Sequence, residues 1–119
     1  GLAPAAGTLE RYRLQEWLNF ITSEIHKTLS ILFDKSITDD YRNATKAKIA
    51  KRYAWIAKEL GDKPYLMGDR FTVADAYLFT MLTWHDWVKI DIGPLQVYFD
   101  RVKARPKVTE VLRSEGRLK

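Results

Sequence analysis

The run from Phe71 to Trp84, Phe-Thr-Val-Ala-Asp-Ala-Tyr-Leu-Phe-Thr-Met-Leu-Thr-Trp, is apolar or hydroxylated at almost every position and shows no alternation. A helix with this character on all its faces belongs inside a protein, because no side of it is suited to water. The remaining chain must therefore wrap it. The run is too short to cross a bilayer, and Asp75 interrupts it. Its start is equally informative. Thr72 can accept a hydrogen bond from the amide of Asp75, and the Asp75 carboxylate can reach back to the amide of Thr72. This is a capping box preceded by Phe71 in the staple position. Asp75 thereby has a structural role that explains a carboxylate inside an apolar run.

The segments on either side supply wrapping helices. Thr8 caps a helix predicted to run to about Phe33, with the apolar stripe Leu14, Trp17, Leu18, Ile21, Ile25, Leu29 and Leu32. Residues 34–37 break it, and Thr38, followed by Asp39 and Asp40, starts a second helix with acids where the helix dipole favours them. That helix is expected to bury Ile49, Tyr53, Ile56, Ala57 and Leu60 and to stop at Gly61. Residues 62–70 read as an ordered loop. The central helix opens at Phe71–Asp75 and is predicted to reach about Lys89. Gly93-Pro94 precedes a helix over about 95–104, and Arg105-Pro106 separates a last short helix ending near Gly116. No strand pattern appears. The predicted fold is all-α, about five helices around one buried central helix. Residues 1–7, rich in small residues, read as a connection from something upstream, and 8–119 as the helical domain.

With 119 residues and 46% hydrophobic side chains, one domain with an ordinary core is the simplest organisation. The chain has no cysteine, which excludes disulfides, thiolate metal sites and a cysteine nucleophile within it. That absence leaves the compartment undetermined but leans towards the cytoplasm. His26 and His85 share no metal-ligand spacing, so no metal is expected. Residues 1–7 lack the charged and apolar regions of a signal peptide. The net charge of +5 sits mainly at Lys46, Lys48, Lys51, Arg52 and Lys58 and in residues 101–119. These basic residues occupy the solvent side of helices without interleaved exposed aromatics, which favours a solvated basic face over a nucleic-acid site.

Two constellations merit a functional reading. At 100° per residue, Tyr12, Gln15, Asn19, Ser23, His26 and Ser30 fall in one sector of the first helix, opposite Trp17, Ile21 and Ile25. Such amide, hydroxyl and imidazole groups suit a polar ligand or a partner surface, and they equally suit a neutral exposed face of no consequence. Trp84, on the expected continuation of the central helix, either walls an apolar pocket or simply packs in the core. His85 and Asp86 point about 100° apart on a helix and make a poor catalytic dyad. No nucleophile triad, phosphate loop or carboxylate pair is visible.

The segments Glu16-Trp17-Leu18-Asn19-Phe20, Glu24-Ile25-His26-Lys27 and Phe71 to Thr80, together with Arg105-Pro106 and Glu115-Gly116, closely resemble the beta-type bacterial glutathione S-transferases from about Leu9 onward. The resemblance implies a fold in which a thioredoxin-like domain precedes this helical one, residues 1–7 being the connection between them. In that family the upstream domain holds most of the glutathione site and a characteristic cysteine. The resemblance assigns Asn19, Ser23, Glu24, Ile25 and His26 to glutathione binding. It assigns His26, Lys27 and Trp84 to the pocket for the hydrophobic substrate. It implies glutathione as co-substrate with no tightly bound cofactor, a small electrophile as second substrate, a homodimer, and no membrane or nucleic-acid partner. Catalytic residues are expected outside these 119 residues, which alone should be inactive. Thr28-Leu29, where glycine and an aromatic are expected, and Met67, where relatives can carry cysteine, depart from the pattern and bear on substrate preference. The alternatives are a non-catalytic interaction domain of the same fold and, behind it, a nucleic-acid binder using the basic second helix.

Overall fold

Hydroxyl caps start the two long helices where the sequence predicts. The computed structural model describes residues 3–116; Gly1 and Leu2 of the segment expected to be a connection and residues 117–119 of the basic end lie outside the described residues. Helix α1 (Leu9–Phe20) begins behind Thr8, whose Oγ1 accepts from the Arg11 amide at 3.2 Å. The segment before it folds back on its first turn, with the Arg11 guanidinium donating to the Pro4 carbonyl at 3.0 Å. α1 continues without a break into a π-helical segment, Ile21–His26, and then α2 (Lys27–Ile31). The expected single α-helix reaching Phe33 is corrected on both counts. In the π segment the Lys27 amide donates five residues back, to Thr22, so the turn holds one residue more than an α-turn. Leu14, Ile21, Ile25, Leu29 and Leu32 of the predicted stripe are buried, whereas Trp17 and Leu18 are only partly so.

Helix α3 (Asp39–Leu60) starts at Thr38, whose Oγ1 accepts from the Tyr41 amide at 3.1 Å. It ends at Gly61, whose φ of 54° with ψ of −127° is a backbone state that side chains resist. Ile49, Tyr53, Ile56 and Leu60 are buried with Thr45, and Ala57 is half-buried. Helix α4 (Val73–Leu82) is shorter than predicted, and a separate α5 (His85–Val88) follows. The predicted helix to Lys89 is interrupted because His85 Nδ1 lies 2.7 Å from the Leu82 carbonyl. A side chain thus takes an acceptor that the next helical amide would use. A 3₁₀ turn (Gly93–Leu95) leads into α6 (Gln96–Lys103) and α7 (Pro106–Ser114).

The architecture is all-α, as predicted. α4 packs against α1, the π segment and α6, while α3 lies across α2, the π segment and the 3₁₀ turn. Ala74, Asp75, Leu78, Phe79, Met81 and Leu82 of α4 are buried, and Ala76 and Thr80 remain on an open edge. Among the described residues no strand forms; Tyr65 and Gly68 make one isolated bridge in the loop before α4. No helix is long and apolar enough to cross a membrane.

The predicted capping box forms, and it reaches further than its own helix. Thr72 Oγ1 accepts from the Ala74 amide at 3.3 Å, and Asp75 Oδ2 accepts from the Thr72 amide at 3.0 Å. Asp75 Oδ1 accepts from the Leu66 amide at 3.0 Å and from the Tyr98 hydroxyl at 2.7 Å. One fully buried carboxylate therefore ties the loop over 62–70 and α6 to the start of α4. Burial, and then the Asp75 charge, push the Tyr98 hydroxyl well above its ordinary pKa of 10.

Candidate functional site

The residues selected from the first helix diverge. Asn19 and Ser23 are exposed, and the Ser23 hydroxyl donates back to the Asn19 carbonyl at 2.9 Å. Glu24 faces α3, where Arg52 Nε donates to it at 3.0 Å in a half-exposed ion pair. Ile25 is entirely buried, so its side chain is core and only its backbone is open to a ligand role. Lys27 is exposed. His26 is half-buried and turns to α4 rather than sharing the solvent sector of Asn19, Ser23 and Ser30. Of the predicted polar sector, Tyr12, Gln15, Asn19, Ser23 and Ser30 are exposed, and His26 alone is half-buried, held to Tyr77.

His26 and Trp84 do come together. Their rings meet edge to face at a centroid distance of 5.4 Å, and Phe33 also meets Trp84 edge to face at the same distance. Trp84 occupies the turn between α4 and α5 rather than the body of one long helix. This turn presents it towards the end of the first helical rod. Behind His26 stands Tyr77 of α4, its hydroxyl 2.7 Å from His26 Nδ1 and 3.2 Å from Thr22 Oγ1. The result is a half-open aromatic corner with an imidazole in its wall, chemically suited to a flat or apolar group carrying one polar atom. Sequence reasoning missed Tyr77, Thr22 and Phe33. The spacings of 51 and 55 residues to Tyr77 leave no local pattern that could have found them.

His85 and Asp86 meet, contrary to the helical projection, with Nε2 and Oδ1 3.2 Å apart. Nδ1 faces the Leu82 carbonyl and Nε2 the exposed Asp86 carboxylate, two acceptors that a neutral ring cannot serve together. Among the described residues no group of three or more His, Asp or Glu side chains could hold a metal.

A second concavity, an open groove of about 990 Å³, runs between α1 and α3 and shares no residue with the His26–Trp84 corner. Its floor is the cluster of Trp17, Phe20 and Trp55, with ring centroids 4.7 to 6.2 Å apart, and Glu16, Glu59 and Lys63 stand among its walls. It lacks an imidazole, and the polar groups singled out for ligand binding lie elsewhere. The chemistry therefore points to the His26–Trp84 corner.

Comparison with known proteins bears on the fold as a whole. The family model for the glutathione S-transferase C-terminal domain matches residues 20–111. The glutathione S-transferase GstA of Escherichia coli O157:H7 is 36% identical over 118 residues, covering 97% of this chain and 58% of GstA. Among solved structures, the ternary complex of BphK, a bacterial transferase, is 46% identical with a TM-score of 0.90, covering 97% of this chain and 59% of that one. A sphingomonad glutathione S-transferase complexed with glutathione is 39% identical with a TM-score of 0.88, covering 98% and 59%. The chain thus spans less than two thirds of the length of these relatives.

Proposed function

Because the chain belongs to the glutathione S-transferase C-terminal domain family and is similar to bacterial transferases over almost its whole length, we propose that it forms the helical part of an enzyme joining glutathione to small hydrophobic electrophiles. In this reading the chain supplies the wall of the electrophile pocket and part of the glutathione site. Its partner domain, thioredoxin-like, holds the sulfur. The sulfur must react as thiolate, and the described residues offer no group positioned to ionise it. The 119 residues alone are accordingly inactive in this proposal.

The observation that carries the reading is the meeting of His26 with Trp84 at 5.4 Å, across 58 residues of sequence, at a half-open corner. The aromatic faces of Trp84 and Phe33 suit an apolar electrophile, and His26 offers it one hydrogen-bonding atom. Asn19 and Ser23 supply an exposed amide and hydroxyl for glutathione, Lys27 a cation close by, and Ile25 its backbone alone. Glu24 enters as an acceptor already paired with Arg52. A homodimer is part of the proposal, and the groove with exposed Trp55 beside the partly buried Trp17 and Phe20 suits such a contact.

The test uses the full-length protein with glutathione and a chromogenic aryl halide. Replacing His26 or Trp84 by alanine should lower kcat/KM by roughly tenfold or more, the scale of losing one positioned contact of 1.4 kcal/mol. Unchanged kinetics in both variants would remove the site assignment. Absence of glutathione binding alongside a stable protein partner would instead favour the non-catalytic reading.

A further inference from the structure

Resting on the reading of the His26–Trp84 corner as an electrophile pocket, we infer that Arg42 is a positioning residue that acts through Phe33. Its guanidinium fixes the backbone on both sides of Phe33. It thereby sets how that ring stands against Trp84 and which aryl groups the corner accepts.

Phe33 lies just past the end of α2, is 47% exposed, and meets Trp84 edge to face at 5.4 Å. Helical hydrogen bonding runs out at this point. The amides of Leu32, Phe33 and Asp34 reach only three residues back, to Leu29, Ser30 and Ile31, so the last turn tightens. In a continuing α-helix the Ser36 amide would donate to the Leu32 carbonyl. It donates instead to Asp34 Oδ1 at 2.9 Å, which leaves the Leu32 carbonyl to a partner from elsewhere.

Arg42 of α3 is that partner. Its Nη1 donates to the Leu32 carbonyl at 2.8 Å, and its Nη2 donates to the Asp34 carbonyl at 3.1 Å. A guanidinium only donates and a carbonyl only accepts, so the direction of both bonds is fixed. The two acceptors flank Phe33 in sequence. Leu32 is anchored in the core, whereas Asp34 is exposed, and the planar fork ties the outer side of the turn to the inner one. Phe33 is left little freedom to swing its Cα–Cβ bond away from Trp84. The placement of the cation points the same way. Arg42 stands on the opening turn of α3, at the positive end of that helix's dipole, and the carbonyls it reaches lie at the negative end of α2. Its charge is therefore favoured by the end of α2 and not by its own helix.

The test is a double-mutant cycle in the full-length protein, with glutathione and two aryl halides, one bearing a single ring and one a fused pair. Arg42→Ala should lower kcat/KM for the preferred halide roughly 3- to 10-fold through KM, shrink the discrimination between the two, and leave the KM for glutathione within about twofold. Arg42→Lys restores a cation without the bridging fork and should fall between; it also serves if the alanine variant does not fold. In a Phe33→Ala background, removing Arg42 should change kcat/KM by less than about twofold, because the residue it acts through is gone. A second readout is the ring spectrum of Phe33 in ¹³C–¹H NMR, where the neighbouring indole of Trp84 shifts its signals. Those signals should relax towards unshifted positions in Arg42→Ala. Equal losses in both backgrounds, or Phe33 signals that do not move, would overturn the inference. Unchanged kinetics in both His26→Ala and Trp84→Ala would sink the pocket reading instead, and the Phe33 spectrum would still decide whether Arg42 places the ring.

Discussion

Asp75 ties together separate parts of the fold, because four donors from three parts of the chain converge on its two buried oxygens. Asp75→Ala strands the Leu66 and Thr72 amides and the Tyr98 hydroxyl without partners. At about 1–3 kcal/mol for each buried unpaired group, the variant should lose at least about 3 kcal/mol, read as a lower urea midpoint. Tyr98 and Tyr53 make a second prediction at this scale. Burial raises the hydroxyls of both above their ordinary pKa of 10. Above pH 10 the unfolded chain has released these protons while the folded one retains them, so stability is intact below that pH and falls as pH rises. The slope should be about 1.4 kcal/mol per pH unit for each tyrosine. Tyr98→Phe should remove one tyrosine's share of that slope in unfolding titrations between pH 10 and 12. The Thr72–Asp75 half of this network was legible because its members are three residues apart. Leu66 and Tyr98, 9 and 23 residues from Asp75, left no local mark.

Among the helices, cap chemistry predicted starts better than lengths. Thr8, Thr38 and Thr72 each open a helix as read from sequence, since a hydroxyl next to free amides is a local event. The π segment and the break after Leu82 escaped, because they depend on what lies across from the helix. His85 closing on the Leu82 carbonyl is one such event. Another is Lys89, which ends α5 in the left-handed region with φ of 58° and ψ of 52°. A side chain there is strained where glycine is not. Lys89→Gly should stabilise the protein by about 0.5–1 kcal/mol, visible as a rise in thermal midpoint, despite the loss of a charge.

Taken whole, the molecule clasps its one long loop from the far end of the chain. Arg101 donates to the Pro64 carbonyl at 3.0 Å. Arg105 lies 4.2 Å over the Phe71 ring and donates to the Tyr65 hydroxyl at 3.0 Å. Arg105→Ala should cost about 1–2 kcal/mol and speed hydrogen exchange at the Leu66 and Gly68 amides roughly tenfold, while α3 amides stay protected. Uniform acceleration throughout would mean that the loop and the helices open as one unit.

Sequence alone determined the class of structure and the identity of its centre. A helix apolar on every side, flanked by amphipathic helices with hydroxyl caps, has few arrangements open to it, and those signals act within a few residues. The residues of the proposed site were nameable one by one, yet their convergence was not. Asn19, Ser23, Glu24, Ile25 and His26 are neighbours along the chain, and the helix sends them to solvent, to α3, to the core and to α4. Trp84, far away in sequence, is the residue His26 meets. Only the packing of α4 against the π segment decided that, since direction around a helix shifts with each residue and a single π turn changes the register for all that follow.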